Sequence, residues 1–383
     1  MVSESTHSMP LIIRADASSR IGTGHVMRCI ALGQAWMERA EGGDLKPEVV
    51  FICSEISDVL AERLKSEEFS LVHIDAEPGS SEDVQQTLDI LSGLPLPVVD
   101  AVAIAPASLR VRSHPSSFSS FWLVLDGYRF NTDYHRALRQ TGRRLLLIDD
   151  CNHLSEYECD ILLNQNINAA ELNYTINPEA RLLLGTDYIL LRREFFQGLE
   201  KSDRKVPRSG KINLLITMGG ADPDNVTLKV IEALKETDLP ELEAKIIVGP
   251  ANPHLETLKA AAAHSTFDLR LLTNVEDVAE LMNWADFAIS AAGSTCWELL
   301  AMGVPFATVI LADNQEGVAS YLEQHAGVPC LGWGSENIAQ RIIECLDSSE
   351  NFTQDRSVKL VDGLGAGRVV ERLHEYQGCS RDP

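Results

Sequence analysis

The chain has 383 residues, and its 33 Lys and Arg residues against 56 Asp and Glu residues give a formal net charge of −23. This acidity excludes broad binding to nucleic acid or to an anionic membrane surface, because both need clustered basic side chains. A hydrophobic fraction of 45% is that of a packed protein rather than of a disordered acidic chain. The first nine residues are polar and lack the pattern of a signal peptide. No apolar run approaches the roughly 18 residues that a membrane span needs, so we expect a cytoplasmic protein.

Short apolar runs alternate with amphipathic stretches along the whole chain, which is typical of parallel sheets built from βα units. In the first half we predict strands at 11–14, 49–53, 71–74, 121–126, 144–149 and 160–164, and helices at 25–40, 55–67, 81–92 and 132–142. In the second half we predict strands at 212–217, 244–249, 267–272, 286–290 and 304–311, and helices at 223–237, 252–264, 275–284, 294–302 and 315–325. A final helix at 366–377 is expected to pack back across the domains.

A basic stretch at 198–211, which contains one proline and two glycines, separates the two βα series and predicts an interdomain linker. We therefore predict an α/β protein with two Rossmann-like parallel-sheet domains, an N-terminal one over 10–197 and a C-terminal one over 212–378. Residues 95–120 predict a long loop or insertion. In such folds ligands bind at the loops that follow the strands, so the functional residues are sought there, in a cleft between the domains.

The loop after the first strand places a histidine at such a position. Gly22 and Gly24 allow a close backbone approach, and His25 follows in the first turn of the next helix. A helix N-terminus binds anions and disfavours the imidazolium form of a histidine. A neutral imidazole facing a cleft is a usable general base, although a histidine that only packs at a strand-to-helix turn fits the same pattern.

The loops after two strands of the second half carry glycines and hydroxyl groups, namely Gly219, Gly220, Gly293, Ser294 and Thr295. Their backbone N–H groups and hydroxyls can bind diphosphate oxygens, although a tight turn also accounts for the first two glycines. Glu298 lies one helical turn after Ser294 on the same face, where it can accept hydrogen bonds from ribose hydroxyls. A carboxylate near a helix N-terminus is also favourable without any ligand.

Other polar side chains follow predicted strands and should face the same cleft: Asp16, Asp126, Tyr128, Asn314 and Gln315. The positive groups expected there, against the overall charge, are Arg14, Arg20 and Arg28. Asp149 and Asp150 invite a metal interpretation, but adjacent residues of an extended chain point to opposite sides, and we favour a turn or helix cap.

Neither a metal nor a cofactor is predicted. The eight cysteines include no Cys-x-x-Cys pair, and Cys151, His153 and Cys159 fit no standard zinc spacing. Walker A, His-Glu-x-x-His and Gly-x-Ser-x-Gly motifs do not occur, which removes P-loop hydrolases, zincins and α/β-hydrolases. Three glycine loops on twin domains favour a nucleotide-diphosphate sugar as the small-molecule ligand.

Several sequence blocks, in order, resemble the UDP-2,4-diacetamido-2,4,6-trideoxy-β-L-altropyranose hydrolases of pseudaminic acid biosynthesis. The blocks are Arg14-Ala-Asp16, Gly22-Thr-Gly24-His25-Val-Met-Arg28, Leu162-Leu-Asn164-Gln-Asn166, Leu190-Leu-Arg192-Arg-Glu194-Phe195, Met218-Gly-Gly220, Ser290-Ala-Ala-Gly-Ser294 and Asp313-Asn-Gln315. The matches run from about residue 11 to about residue 325, and the Gly-Thr-Gly-His-x-x-Arg block is the most specific. This family is similar to the GT-B glycosyltransferase that adds N-acetylglucosamine to lipid I.

The resemblance implies a GT-B fold and metal-independent hydrolysis of the UDP-sugar to UDP and the free diacetamido sugar. Water would attack the anomeric carbon with inversion. By the family's pattern, His25 falls on the catalytic histidine and Asn314 on an active-site amide. Gly220, Ser294 and Glu298 fall on UDP-binding positions.

Three alternatives stay open. A GT-B glycosyltransferase that uses a UDP-activated amino sugar would share the nucleotide site, although a charge of −23 counts against a lipid acceptor. A UDP-N-acetylhexosamine 2-epimerase would need more acids and bases around C2 than the sequence identifies. A nucleotide-sugar-binding protein without turnover is the third alternative, and the oligomeric state is left open between monomer and homo-oligomer.

Overall fold

The computed structural model describes residues 8–18, 20–40, 46–93, 121–196, 211–236, 241–275, 277–334, 338–347 and 360–376. The predicted insertion at 95–120 and nearly all of the predicted linker at 198–211 lie outside these residues. Within the described ranges, no helix is both long enough and apolar enough to cross a membrane.

Seven parallel strands form the first sheet, in the order β3-β2-β1-β4-β5-β6-β7. The strands are β1 Ser8–Ala15, β2 Lys46–Cys53, β3 Ser70–His73, β4 Trp122–Asp126, β5 Arg144–Ile148, β6 Ile161–Asn164 and β7 Arg181–Leu184. The helices between them are α1 Gly24–Ala40, α2 Asp58–Ser66, α3 Ser81–Gly93 and α4 Thr132–Arg139. The strand order reverses between β1 and β4, which opens a crevice at their carboxyl ends.

Six parallel strands form the second sheet, in the order β10-β9-β8-β11-β12-β13, with the same reversal between β8 and β11. The strands are β8 Lys211–Thr217, β9 Glu241–Val248, β10 Asp268–Thr273, β11 Phe287–Ala291, β12 Phe306–Ile310 and β13 Cys330–Trp333. The helices are α5 Val226–Lys235, α6 Leu255–Ala263, α7 Val278–Trp284, α8 Thr295–Ala301, α9 Glu316–Ala326 and α10 Ile338–Asp347. The predicted fold class, two Rossmann-like parallel-sheet domains, is confirmed.

Burial on both faces explains why the central strands are apolar throughout. In β1, Leu11 and Ile13 belong to the core beneath α1, whereas Ile12 belongs to the core on the other face of the sheet. Polar residues are concentrated where a strand leaves these two cores, and all strands of a parallel sheet do so at the same edge. This geometry gathers the loops after β1, β4 and β5 at one end of the first domain.

The last described helix, α11 Gly365–Glu375, returns to the first domain, although its residues fall within the range predicted for the second. Val369 and Leu373 are fully buried in the core beneath α1. The indole Nε1 of Trp122 donates a hydrogen bond of 3.0 Å to the carbonyl oxygen of Leu373. Trp36 of α1 stacks on His374 with ring centroids 5.0 Å apart. The chain therefore crosses between the domains twice.

Candidate active site

The carboxyl ends of the two sheets face each other across a cavity of about 1630 Å³. Loops after β1, β4 and β5 form the first-domain wall, and loops after β8, β11 and β12 form the second-domain wall. Fourteen predicted site residues line the cavity: Asp16, Gly24, His25, Arg28, Asp126, Tyr128, Gly219, Gly220, Gly293, Ser294, Thr295, Glu298, Asn314 and Gln315. The structure thus brings together loops that are up to 300 residues apart in the chain.

His25 is held by a carboxylate at the end of β4. Its Nδ1 lies 2.6 Å from Oδ1 of Asp126, and the residue is only 5% exposed. Because an ionised carboxylate only accepts hydrogen bonds, the neutral ring carries its proton on Nδ1 and donates it to Asp126. Arg28 Nη2, 3.1 Å from the same Nδ1, is then a close contact rather than a second hydrogen bond. This tautomer leaves Nε2 of His25 as a hydrogen-bond acceptor.

Arg28 fixes the charge of that carboxylate. Its Nε and Nη2 donate to the two oxygens of Asp126 at 2.6 Å, and its Nη1 donates to Asp150 at 2.6 Å. Burial alone would raise the pKa of Asp126, but the Arg28 guanidinium and His25 outweigh burial and hold that pKa well below its usual range. The described contacts of Arg28 hold the carboxylate that orients His25, and its binding to a substrate stays a prediction.

Tyr128 connects the two walls of the cavity. Its hydroxyl donates to Oδ2 of Asp150 at 2.7 Å and accepts a hydrogen bond of 2.9 Å from Nδ2 of Asn314 in the second domain. The ring of His25 packs edge-on against the Tyr128 ring, with centroids 4.9 Å apart. Asn314 and His25, predicted from distant parts of the chain, therefore meet around one tyrosine.

The loop after β5 adds residues to which the sequence analysis gave no substrate role. The carboxylate of Asp149 accepts hydrogen bonds from the backbone N–H groups of Cys151 and Asn152, Nδ1 of His153, and the hydroxyls of Tyr157 and Tyr174. The two backbone contacts are the turn cap that was predicted, and Asp150 points to the opposite side, towards Arg28. Burial would raise the pKa of Asp149, but these hydrogen bonds, led by that from His153, lower it overall.

An ion pair joins the domains deep in the cavity. Arg192 Nη2, from the segment before the linker, donates to Oε1 of Glu298 at 2.8 Å, and its Nη1 donates to Glu194 at 2.7 Å. The side chains of Arg192 and Glu298 are only 8% and 15% exposed. Oε2 of Glu298 has no partner among the described residues. Arg192 occurs in one of the sequence blocks, but nothing in its local spacing indicates a partner 106 residues away.

Glycine backbones let the two walls approach closely. A Cβ atom on Gly220 would lie 2.9 Å from Oγ1 and 3.0 Å from the backbone nitrogen of Thr23, so any side chain there would push the loops apart. A Cβ atom on Gly24 would lie 3.8 Å from Oγ of Ser294, which is an ordinary van der Waals contact. The first-domain loop around His25 therefore touches both glycine loops of the second domain.

Arg14 does not line the cavity, contrary to the prediction. It is fully buried in β1, where its Nε and Nη2 donate to the two oxygens of Asp83 at 3.0 and 2.8 Å. Its Nη1 lies 2.7 Å from Asp16, whose other oxygen accepts from the backbone N–H groups of Ser54 and Glu55. The Arg14 side chain shares the face of Ile12 in the pleated strand, so it points into the domain rather than along β1 towards the cavity.

Comparisons with known proteins agree with this architecture. Residues 213–359 match the family model of the glycosyltransferase family 28 C-terminal domain. The UDP-2,4-diacetamido-2,4,6-trideoxy-beta-L-altropyranose hydrolase of Campylobacter jejuni is 26% identical over 318 residues, which cover 82% of this chain and 96% of that protein.

Two solved structures share the fold. The S. aureus MnaA–UDP co-structure has a TM-score of 0.63 at 13% identity and covers 98% of this chain and 99% of its own. Acinetobacter baumannii MurG has a TM-score of 0.55 at 15% identity, with coverages of 96% and 100%. At these identities the likeness shows the fold alone. The chain has the GT-B fold, and within it residues 213–359 are similar to the C-terminal domain of glycosyltransferase family 28.

Proposed function

We propose that this protein hydrolyses UDP-2,4-diacetamido-2,4,6-trideoxy-β-L-altropyranose to UDP and the free diacetamido sugar. The observation that carries the proposal is the Asp126-bound His25, which faces the glycine and hydroxyl loops of the second domain across one cavity. The Campylobacter jejuni relative, which covers most of both chains, supports the choice of sugar.

In the proposed reaction, Nε2 of His25 accepts a proton from a water molecule as the water oxygen attacks the anomeric carbon. The bond between that carbon and the β-phosphate oxygen breaks on the opposite side, so the configuration inverts and UDP leaves. The Nδ1–H···Asp126 hydrogen bond orients the ring and stabilises the imidazolium that forms. The proton passes to solvent when the free sugar departs.

The second domain would hold the leaving group. Backbone N–H groups at 219–220 and 293–295, with the hydroxyls of Ser294 and Thr295, can bind the diphosphate as its negative charge grows. Oε2 of Glu298 can accept a hydrogen bond from a ribose hydroxyl, while Oε1 stays bonded to Arg192. A diphosphate is a good leaving group, so the reaction needs no general acid.

The test is incubation of the purified protein with a panel of UDP-acetamido sugars, without an acceptor and with EDTA present. Chromatography follows UDP, and NMR follows the anomeric configuration of the released sugar. We expect UDP release from the diacetamido-altrose nucleotide with inversion. UDP release that strictly requires an acceptor alcohol would instead support a glycosyltransferase, and tight binding without release would support a non-catalytic binding protein.

A further inference from the structure

A second histidine of the first-domain wall lines the cavity and is not used by the proposed reaction. His153 lies in the loop after β5, and its side chain is 26% exposed. Its Nδ1 lies 2.9 Å from Oδ2 of Asp149, so the neutral ring donates from Nδ1 to that carboxylate. Among the described residues, none forms a hydrogen bond with its Nε2.

The arrangement repeats the one around His25. Asp126 ends β4 and Asp149 directly follows β5, the neighbouring strand of the sheet, and each carboxylate binds Nδ1 of one histidine. Both imidazole rings pack edge-on against the ring of Tyr128, at centroid distances of 4.9 Å for His25 and 5.5 Å for His153. Three rings thus line the wall that faces the glycine loops of the second domain, where the proposed function puts the sugar of a bound UDP-sugar.

A metal site is the obvious competing interpretation, because ligand atoms of Asp149, Cys151 and His153 lie within 4.8 Å of one another. The oxygens of Asp149, however, already accept five hydrogen bonds, which leaves little lone-pair capacity for a cation. Burial, together with Asp149 and Asp150, raises the pKa of the Cys151 thiol to about 12, so the free thiol is protonated at neutral pH and a metal would have to displace its proton.

We propose that His153 is a sugar-contacting residue, whose Nε2 accepts a hydrogen bond from a hydroxyl or an amide N–H of the sugar. Asp149 acts through it as a positioning residue, because its saturated carboxylate fixes the ring and its tautomer. This inference rests on the proposed nucleotide-sugar ligand but not on hydrolysis. His153 would then help to select the sugar, whereas the second-domain loops bind the UDP that all such substrates share.

The experiment compares His153→Ala, His153→Gln and a control, His264→Ala, which alters an exposed histidine at the end of α6. Each is made in a His25→Ala background, so that binding is measured without turnover, and calorimetry gives Kd for UDP and for the UDP-diacetamido sugar. We expect His153→Ala to weaken binding of the UDP-sugar about tenfold and binding of UDP less than about twofold, as loss of one sugar hydrogen bond requires. His153→Gln, which keeps an acceptor, should recover much of the loss, and the control should change neither Kd.

Equal weakening of both ligands, or no change in either, would overturn the proposal, as would a loss of UDP-sugar binding on chelation with EDTA. The outcome is separable from that of the proposed hydrolysis. If wild-type protein binds the UDP-sugar without releasing UDP, hydrolysis fails as the function, while the two Kd values still decide the role of His153.

Discussion

The ion pair between Arg192 and Glu298 offers a quantitative test of how the two domains are held together. Its partners are unequal, because Arg192 also donates to Glu194, whereas Oε1 of Glu298 receives its described hydrogen bond from Arg192 alone. Glu298→Gln therefore leaves a guanidinium that still has a carboxylate partner. Arg192→Met leaves a nearly buried carboxylate without its cation, while Glu194 keeps a contact of 3.1 Å to Arg63.

The expected magnitudes follow from this asymmetry. Loss of one hydrogen bond should lower the free energy of unfolding of Glu298→Gln by about 1 kcal/mol. Arg192→Met leaves a buried charge unpaired, which should lower its free energy of unfolding by about 3 kcal/mol or more. The double variant contains no unpaired charge, so it should be less destabilised than the two single effects together, by about 2 kcal/mol.

Urea denaturation of the four proteins, followed by circular dichroism, measures these differences. Burial raises the pKa of Glu298 even though Arg192 opposes the shift. Without Arg192 that pKa rises further, so the carboxyl of Arg192→Met should protonate and part of its stability should return as the pH is lowered from 7.5 towards 5. If the destabilisation of the double variant equals the sum of the two single-variant effects to within about 0.5 kcal/mol, the two residues are not coupled and the reasoning is refuted.

Three further predictions concern the cleft and the core. His25→Ala should reduce kcat by a hundredfold or more, the scale of a lost general base, and leave the Kd of UDP unchanged in calorimetry; weaker UDP binding with unchanged kcat would make its role structural. Gly220→Ala should weaken UDP-sugar binding because its methyl group meets Thr23, whereas Gly367→Ala, at an open helical position, should not. Burial lowers the pKa of His135 from 6.5 to about 4, so wild-type protein should lose about 3 kcal/mol of stability as pH falls through this window. His135→Phe should lack that loss in urea denaturation at a series of pH values, and an unchanged profile would contradict the assignment.

The central elements are predictable because they are buried on both faces. The runs predicted at 212–217 and 304–311 correspond to β8 and β12, whose apolar residues are enclosed by helices. The strands β7 and β13 were not predicted. In β7 the apolar run Leu182–Leu184 is short and follows a charged residue, and Leu182 is 41% exposed at the edge of the sheet.

The residues of the candidate site are predictable from the sequence where a local pattern indicates them, and not where their positions depend on long-range pairing. The loop leading to His25 has a recognisable glycine pattern, and the structure places the histidine in the cavity. The carboxylate partner of His25 lies 101 residues away, and that of Arg192 lies 106 residues away. Arg14 was predicted to contact a ligand because it is a basic residue near the end of a strand. In the structure its guanidinium instead binds Asp83 of α3, a partner that the sequence does not indicate.

The return of α11 to the first domain has a consequence for how the chain acquires its structure during synthesis. The core beneath α1 includes Val369 and Leu373, so the first-domain core is complete only after the ribosome has synthesised the residues of α11. Until then an apolar surface around Trp36 and Trp122 stays open in the nascent chain. The core of the second domain likewise includes Val361, which lies just before α11, so both domains complete their cores within the same short stretch of synthesis.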